Sequence, residues 1–349
     1  MSVTRVDVAR RAGVSEAVVS YVVNDGPRPV AAETRERVKA AIEELGYRPN
    51  VMAKALMGGA TGTVGLLMPS PANPFFAELA EAIEKALVAR DNHVLIGIVT
   101  GASARGEEYV ASFIDRRVDG LIVIANPLLE TALVDAASRT PIVFLDRIAK
   151  LRGSSSVMVD NVAGSAYAVE HLQSHGHRVI GCIAGPPGIG ASVDRVAGWR
   201  RQQQSVGHDS SDDFVAFGEF TEAGGEAAAY TLLAPEGRLA ATGREVPSAI
   251  FVSSDIQAIG AIHACSLLGL RVPEDVALVS FDGTKIGQFA RPSLTALRQP
   301  IHDMARDAVS MILDSDDGRP VRPRASVLQG NLVLGESCGC RDDVGSHRV

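Results

Sequence analysis

Short apolar runs that alternate with helical segments constrain the fold of this chain more than any other feature. Each run is followed by a helical pattern, which is typical of parallel strands covered by helices on both faces. The runs form two successive sets, so we predict an α/β region of two doubly wound parallel-sheet lobes over residues 62–340. The first set is TVGLLMP, HVLIGIV, VDGLIVIA and PIVFLD, and the second is VIGCIAG, DFVAFGEF, SAIFVSS and VALVSFD.

Polar and aromatic residues follow several of these runs. In open parallel sheets, ligands bind beyond the carboxyl ends of the strands, so residues at these positions are binding candidates. Taken singly, each is more often a surface group or a helix cap, and the two phenylalanines of SPANPFF suit the core equally well. Together they indicate a pocket. The candidates are Asn73, Phe75, Phe76, Asp146, Arg147, Arg195, Phe220, Ser254, Asp255, Asp282 and Gln299.

The first 48 residues have a helical pattern only. Thr4 and Asp7 have the spacing of a capping box, Gly13 ends the first helix, and Ser15 is a candidate N-cap for the second. Two short helices joined by a turn containing glycine are typical of a helix-turn-helix, although a three-helix cap without a ligand fits this pattern equally well. The predicted helices cover about residues 5–12, 16–24 and 32–45, which makes an all-α, three-helix head.

Charge is distributed unevenly along the chain. The formal net charge of −7 disfavours a nucleic-acid partner, since phosphates attract Lys and Arg. Residues 1–60, however, have nine Lys and Arg against seven Asp and Glu.

No apolar stretch is long enough to cross a membrane, and the N-terminus lacks the apolar core of a signal peptide, so we predict a cytoplasmic protein without a membrane partner.

The sequence of the head closely resembles the DNA-binding head of the LacI/GalR family of bacterial transcription regulators. The similar segments are VTRVDVARRAGVSEAVVSYVVN and VAAETRERVKAAIEELGYRPNVMAKAL. The resemblance implies that the second helix enters the major groove, where base edges are distinguishable. It assigns Glu16, Ala17 and Tyr21 to the base edges, and Ser15, Ser20 and Asn24 to the phosphate backbone. The chain departs from the usual pattern at Val18 and Ala31, and Glu16 brings an acidic group to the groove.

A short predicted helix follows the head, within residues 49–61. It begins at Asn50, ends at about Met57 and precedes the linker GGATG. Helices this short are marginal in isolation. The resemblance implies a hinge helix that folds on DNA against its copy in a dimer, with Leu56 as a wedge in the minor groove and Lys54 near phosphate. Asn50, Lys54 and Leu56 are therefore also DNA-binding candidates.

The body, too, resembles the LacI/GalR family, whose effector domain is similar to periplasmic sugar-binding proteins. The similarity continues through NPFFAELAEAIEKAL, RRVDGLIV, FLDR, HGHRVIGCIAGPP, SSDIQAIG, GLRVPEDVALVSFD and LRQP. It implies one lobe of about 62–160 plus 290–325, a second of about 161–289 plus 326–340, and a tail at 341–349.

The resemblance also assigns roles to the candidates in the body. Arg195 and Asp282 would hold hydroxyls or polar edges of a ligand, and Phe76 and Phe220 would flank its ring. The effector-binding set that we predict is Asn73, Phe75, Phe76, Arg147, Arg195, Phe220, Asp255 and Asp282. Ile189 and Ala191 are apolar where purine-binding relatives have polar or basic groups, which favours a sugar or sugar derivative over a nucleobase.

Other motifs give no prediction of a cofactor, a metal or catalysis. GPPGIGAS fits neither a dinucleotide-binding loop nor a phosphate-binding loop, and a nucleophile elbow is absent. His171 and His175 share a predicted helix face, but no acidic or cysteine partner is near them in sequence. Cys338 and Cys340, in a Cys-x-Cys pattern, are predicted to be reduced thiols.

The sequence therefore predicts a DNA-binding repressor. It would bind a near-palindromic operator as a homodimer or higher oligomer, under the control of a small-molecule effector. The alternative is a cytoplasmic sugar-binding or sugar-modifying protein whose helical extension does not bind DNA. The head and hinge separate the two hypotheses, because the alternative needs neither.

Overall fold

The structure is a computed structural model, which describes residues 3–23, 28–48, 60–100, 103–124, 130–146, 151, 153–241, 243–316, 319–320 and 323–340. Its contacts divide the chain into two compact units, Met1–Thr61 and Gly62–Val349. The predicted hinge helix lies outside the described residues. So do the candidates Asn24, Asn50, Lys54, Leu56 and Arg147.

Three helices form the head, α1 (Arg5–Ala12), α2 (Glu16–Val23) and α3 (Ala32–Leu45). Asp7 Oδ2 accepts hydrogen bonds from the Thr4 amide and hydroxyl, at 2.9 and 2.6 Å, which forms the predicted capping box. These bonds lower the pKa of Asp7. The helices enclose a small core centred on Val8, Val19 and Val38, each fully buried.

The body alternates strands and helices along most of its length. Its described strands are β1 (Thr63–Met68), β2 (His93–Ile98), β3 (Gly120–Ile124), β4 (Ile142–Leu145), β5 (Ser155–Val159), β6 (Ile180–Ala184), β7 (Val215–Phe217), β8 (Ala249–Val252), β9 (Ala277–Asp282), β10 (Thr295–Arg298), β11 (Ser315–Asp316), β12 (Arg319–Pro320), β13 (Ala325–Leu328) and β14 (Asn331–Val333). Its described helices are α4 (Pro74–Val88), α5 (Ser103–Asp115), α6 (Glu130–Ala137), α7 (Asn161–Ser174), α8 (Gly190–Ser205), α9 (Glu222–Leu233), α10 (Arg238–Ala241), α11 (Asp255–Leu267), α12 (Lys285–Phe289) and α13 (Ile301–Leu313).

Two six-stranded sheets organise the body into two lobes. The first sheet has the order β13-β5-β4-β3-β1-β2 and the second the order β14-β10-β9-β8-β6-β7. Neighbouring strands are parallel in both sheets, except for the antiparallel pair β10 and β14. All eight apolar runs contain one of these strands, so the predicted fold class is confirmed.

The chain crosses between the lobes three times, first at about residue 160 as predicted, and then at two positions that differ from the predicted boundaries. β10 lies in the second sheet, although residues 290–325 were assigned to the first lobe, and β13 lies beside β5 in the first. The crossings follow Val159, Arg298 and Leu328. β10 and β13 are short, and β13 is a partly exposed edge strand, so neither has the long apolar run that marks a central strand.

Candidate functional site

The start and one face of α2 carry the described residues that were predicted to contact DNA. Ser15 Oγ accepts a hydrogen bond from the Val18 amide at 3.4 Å, and so begins the helix as its N-cap. Val19 and Val22 turn into the core of the head. Ser15, Glu16 and Ala17 are exposed, and Ser20 and Tyr21 are half-buried.

An ion pair between Arg5 and Glu16 offsets the negative charge on the exposed face of α2. Arg5 Nε lies 3.5 Å from Glu16 Oε2, and both side chains are about half exposed, at 44% and 50%. Glu16 therefore does not present an isolated negative charge, and Arg5 brings a guanidinium to the start of α2. Arg5 was not among the predicted DNA-binding residues, because contact between the starts of α1 and α2 depends on the fold of the head.

A cavity of about 500 Å³ lies in the body, with walls from both lobes. Loops and helix starts that follow the strands surround it, as expected for parallel sheets. The first lobe contributes Pro69, Ser70, Ala72, Asn73, Phe75, Phe76, Val99, Thr100 and Asp146. The second lobe contributes Pro186, Ile189, Ala191, Arg195, Glu219, Phe220, Thr221, Glu222, Ser254, Ile256 and Asp282.

Arg195 is held rigidly on the floor of this cavity. Its side chain is only 4% exposed. Nε donates to Asn161 Oδ1 at 2.8 Å, and Nη1 donates to the Ser253 carbonyl at 2.5 Å. The guanidinium also lies 3.9 Å from the centre of the Phe281 ring, in cation–π contact. Nη1 is 3.5 Å from Asp282 Oδ1, so one fixed cation faces a carboxyl group beside the cavity.

Two buried carboxyl groups, those of Asp146 and Asp282, interact electrostatically with Arg195. Burial raises the pKa of Asp282 to about 8 and that of Asp146 to about 6, and Arg195 opposes both shifts. Gln299 Nε2 donates to Asp282 Oδ1 at 2.8 Å, whereas Asp146 Oδ1 has no hydrogen-bond partner among the described residues.

Both aspartates also have strained backbones, with φ of 61° at Asp146 and 116° at Asp282. Strain of this kind concentrates at binding sites. Asp146 was a candidate at the end of its strand, but the predicted effector contact was the next residue, Arg147.

Aromatic side chains provide the walls. The Phe75 and Phe76 rings meet edge to face with centroids 5.3 Å apart, and Phe75, at 3% exposed, also packs in the core. Asn73 Oδ1 accepts from the Phe75 amide at 3.0 Å and caps α4. The Phe220 ring lies directly over Gly185, where a Cβ atom would overlap it.

Gln257 fixes the loop that carries Phe220. Its Nε2 lies 3.0 to 3.1 Å from the carbonyl oxygens of Ala184, Gly218 and Glu219. The amide thereby ties the end of β6 to the loop after β7. This buried side chain was not among the candidates, because its partners are about 40 to 70 residues away in sequence.

Asp255 is the predicted effector contact that the structure places elsewhere. Its Oδ1 accepts from the Ser280 hydroxyl at 2.6 Å, and its Oδ2 accepts from the Thr284 amide and hydroxyl, each at 2.6 Å. Both carboxylate oxygens are thus bound within the second lobe, and the residue does not line the cavity. The cavity does receive the other described candidates, Asn73, Phe75, Phe76, Arg195, Phe220 and Asp282.

Comparison with known families gives two matches. The family described as "Bacterial regulatory proteins, lacI family" matches residues 5–50. The family described as "Periplasmic binding protein-like domain" matches residues 169–338.

Characterised relatives extend this similarity over nearly the whole chain. The HTH-type transcriptional repressor PurR of Salmonella newport (strain SL254) is 33% identical over 313 residues, which cover 88% of this chain and 89% of the relative. The HTH-type transcriptional repressor CytR of Escherichia coli (strain K12) is 30% identical, with 95% of each chain covered.

Solved structures give the same result. A Lac repressor dimer bound to operator and the anti-inducer ONPF has a TM-score of 0.83 and 28% identity, over 97% of this chain and 99% of the other. The transcriptional regulator CelR in complex with cellobiose has a TM-score of 0.71 and 30% identity, over 96% and 99%. These relatives are transcription regulators, which favours DNA binding over the alternative of a sugar-binding or sugar-modifying protein whose extension does not bind DNA. The chain belongs to the LacI family of bacterial regulatory proteins and is a DNA-binding transcription regulator.

Proposed function

We propose that this regulator represses transcription from a near-palindromic operator and that a sugar or sugar derivative, bound in the cavity of the body, controls it. The choice of ligand class rests on the lining of this cavity. Arg195, Asp146 and Asp282 form a polar floor, and the aromatic side chains of Phe76 and Phe220 lie on either side of it. Because its DNA partner lies in the bacterial cytoplasm, we also propose that it acts there.

The chemistry of the cavity supports a polyhydroxylated ligand. Sugar hydroxyls both donate and accept hydrogen bonds, so carboxyl groups and a guanidinium on one floor satisfy them together. The less polar faces of a sugar ring pack against phenylalanine rings, and about 500 Å³ is within the usual size of small-molecule sites. Ile189 and Ala191 add apolar lining where polar recognition of a nucleobase would need donors and acceptors.

The DNA-binding residues form the second part of the proposal. On the face of α2, Glu16, Ala17 and Tyr21 would contact base edges, and Ser15 and Ser20 would contact phosphates. The resemblance extends the contact surface to Asn24, Asn50 and Lys54, with Leu56 as the minor-groove wedge. The exposure of the α2 residues supports this assignment.

Calorimetry of the full chain against two ligand panels tests the effector class. One panel contains monosaccharides and disaccharides, and the other contains nucleobases and nucleosides, the ligand class that the apolar lining at Ile189 and Ala191 disfavours. We expect saturable binding of at least one sugar, and binding only to the second panel would overturn the proposal. Repeating the titration with operator present gives the sign of the coupling, because allosteric coupling is reciprocal.

Two glycine variants test whether the ligand occupies this cavity. In Gly185→Ala, the new Cβ overlaps the Phe220 ring and displaces it, so we expect sugar affinity to fall about tenfold or more, equivalent to about 1.4 kcal/mol. Gly190→Ala is the matched control, since a Cβ there meets nothing within 4 Å and Gly190 begins α8 beside the cavity. Equal affinities in the two variants would place the ligand elsewhere.

A further inference from the structure

Two histidines and two cysteines meet at the end of α7 that is remote from the effector cavity. The helix begins at Asn161, which binds Arg195 on the cavity floor, and has 14 residues. At 1.5 Å per residue it is about 21 Å long. His171 lies in its last turn and His175 is its C-cap. Together with Cys338 and Cys340 they form what we call the histidine–cysteine cluster, which is separate from the effector cavity.

The fold brings these side chains together from distant parts of the sequence. His171 and His175 are one helical turn apart, with ring centroids separated by 4.8 Å. The segment after β14 is anchored to the second sheet, because the Thr295 amide donates to Ser337 Oγ at 2.9 Å and the Leu278 amide donates to the Ser337 carbonyl at 2.7 Å. Cys338 is consequently buried at a fixed place beside His171.

The distances within the cluster are those of a metal site. His171 Nε2 lies 3.3 Å from Cys338 Sγ and 3.5 Å from Cys340 Sγ. His175 Nε2 is also 3.5 Å from Cys340 Sγ, and all four ligand atoms lie within 4.8 Å of one another. Tetrahedral Zn²⁺, with bonds of about 2.0–2.1 Å to nitrogen and about 2.3 Å to sulfur, holds neighbouring N and S ligands about 3.5 Å apart.

We propose that the histidine–cysteine cluster binds one Zn²⁺ ion per chain through His171 Nε2, His175 Nε2, Cys338 Sγ and Cys340 Sγ. Two imidazoles and two thiolates in tetrahedral arrangement are a donor set typical of zinc. Thr295 Oγ1, at 3.0 Å from Cys338 Sγ, provides a hydroxyl close enough to donate to this sulfur, and hydrogen bonds of this kind orient metal ligands.

The site has a structural role. Four protein ligands complete the tetrahedron, and catalytic zinc sites retain an open position instead. The ion joins the segment after β14 to the end of α7, two elements about 165 residues apart, and so restrains the last described part of the chain. Because metal binding is coupled to folding, Zn²⁺ stabilises the second lobe.

Metal analysis of the full chain tests this assignment. The protein is prepared without a polyhistidine tag and under reducing conditions, and its zinc content is measured by plasma mass spectrometry. Chelator-treated protein is then titrated with Co²⁺ and with Zn²⁺. We expect one Zn²⁺ per chain, the d–d bands of tetrahedral Co²⁺ with thiolate charge transfer, and a fall in thermal midpoint on removal of the metal.

Single substitutions locate the ion. His175 is exposed and Cys340 is only partly buried, so His175→Asn and Cys340→Ser should fold, and we expect both to lose stoichiometric Zn²⁺. His177→Asn is the matched control, because His177 is near in sequence but is directed to Ser248 Oγ, at 2.9 Å. No stoichiometric metal in the reduced wild-type chain, a Co²⁺ spectrum without thiolate charge transfer, or unchanged binding in both ligand variants would overturn the proposal.

Discussion

At the scale of single residues, the effector cavity contains buried ionisable groups whose hydrogen-bonding capacity is only partly satisfied within the protein. Asp146 and Asp282 both face Arg195, and each is strongly buried. Burial of a carboxylate costs free energy unless partners replace its hydration. Gln299 provides one partner for Asp282, but Asp146 Oδ1 has none among the described residues. The free hydrogen-bonding capacity of Asp146 suits it to a ligand hydroxyl.

Asp146→Asn should change how stability depends on pH. Burial raises the pKa of Asp146 from 3.8 in the unfolded chain to about 6 in the folded one. Between these values the folded state holds the proton more tightly, so its stability falls as the pH rises from about 4 to about 6. The full change is roughly 3 kcal/mol. We expect the asparagine variant to lose this part of the decrease, and to keep the part that the raised pKa of Asp282 causes, when free energies of unfolding are measured by urea denaturation.

Asp275→Asn is the control for this measurement. Hydrogen bonds from Arg271 lower the pKa of Asp275 to about 2, so its contribution to stability is lost only as the pH falls below about 4. The variant should follow the wild-type pH dependence from pH 4 to 6. Curves for wild type and Asp146→Asn that run parallel in this window would contradict the expected titration of Asp146.

At the scale of elements, the sequence was informative about strands in long apolar runs, including the edge strands β2 and β7, and much less so about short strands with polar residues. All eight long apolar runs contain strands, because parallel strands that pack against helices are rich in apolar residues. β10, β13 and β14 have three or four residues each and carry polar ones. Their membership in a sheet depends on pairing across the fold, which is why the second and third lobe boundaries were placed wrongly.

The exposed face of α2 allows an equally specific expectation. Glu16→Gln removes an acceptor and a charge at the expected base edge and frees Arg5 from its ion pair. We expect relative affinity for at least one base pair of the operator to change by about 1–3 kcal/mol, measured by selection and sequencing of bound sites. Glu36→Gln also removes one exposed negative charge, but Glu36 lies on α3 and pairs with Lys39 of the same helix. An identical site preference for both variants would remove Glu16 from base recognition.

At the scale of the whole molecule, sequence patterns do not distinguish burial within a chain from burial between chains. HVLIGI was expected to be a strand covered on both faces, yet β2 is the edge of the first sheet, and Leu95, Ile96 and Ile98 are 36%, 48% and 38% exposed. An apolar edge strand with unpaired backbone groups is a site for association. The histidine–cysteine cluster was missed for a related reason, since its two halves meet only in three dimensions.

A second copy of the chain is the occupant that we expect on β2. The Lac repressor relative is a dimer on its operator, and two-fold symmetry of the protein matches the two half-sites of a near-palindrome. Ile96→Lys would bury a charge at this contact, so we expect the dimer dissociation constant to rise at least about tenfold, or about 1.4 kcal/mol, in sedimentation equilibrium. Operator affinity should fall with it, because each monomer then binds only one half-site.

Val134→Lys separates this effect from the general consequences of adding a charge. Val134 is a similarly exposed apolar residue, at 55%, but it lies on α6 rather than on the sheet edge. We expect this variant to keep both the wild-type dissociation constant and the wild-type operator affinity. If Ile96→Lys remains as dimeric as Val134→Lys, then β2 is not the dimer contact, and the exposed isoleucines require another partner. If it becomes monomeric but still binds the operator with wild-type affinity, the dimer is not what aligns the two heads on DNA.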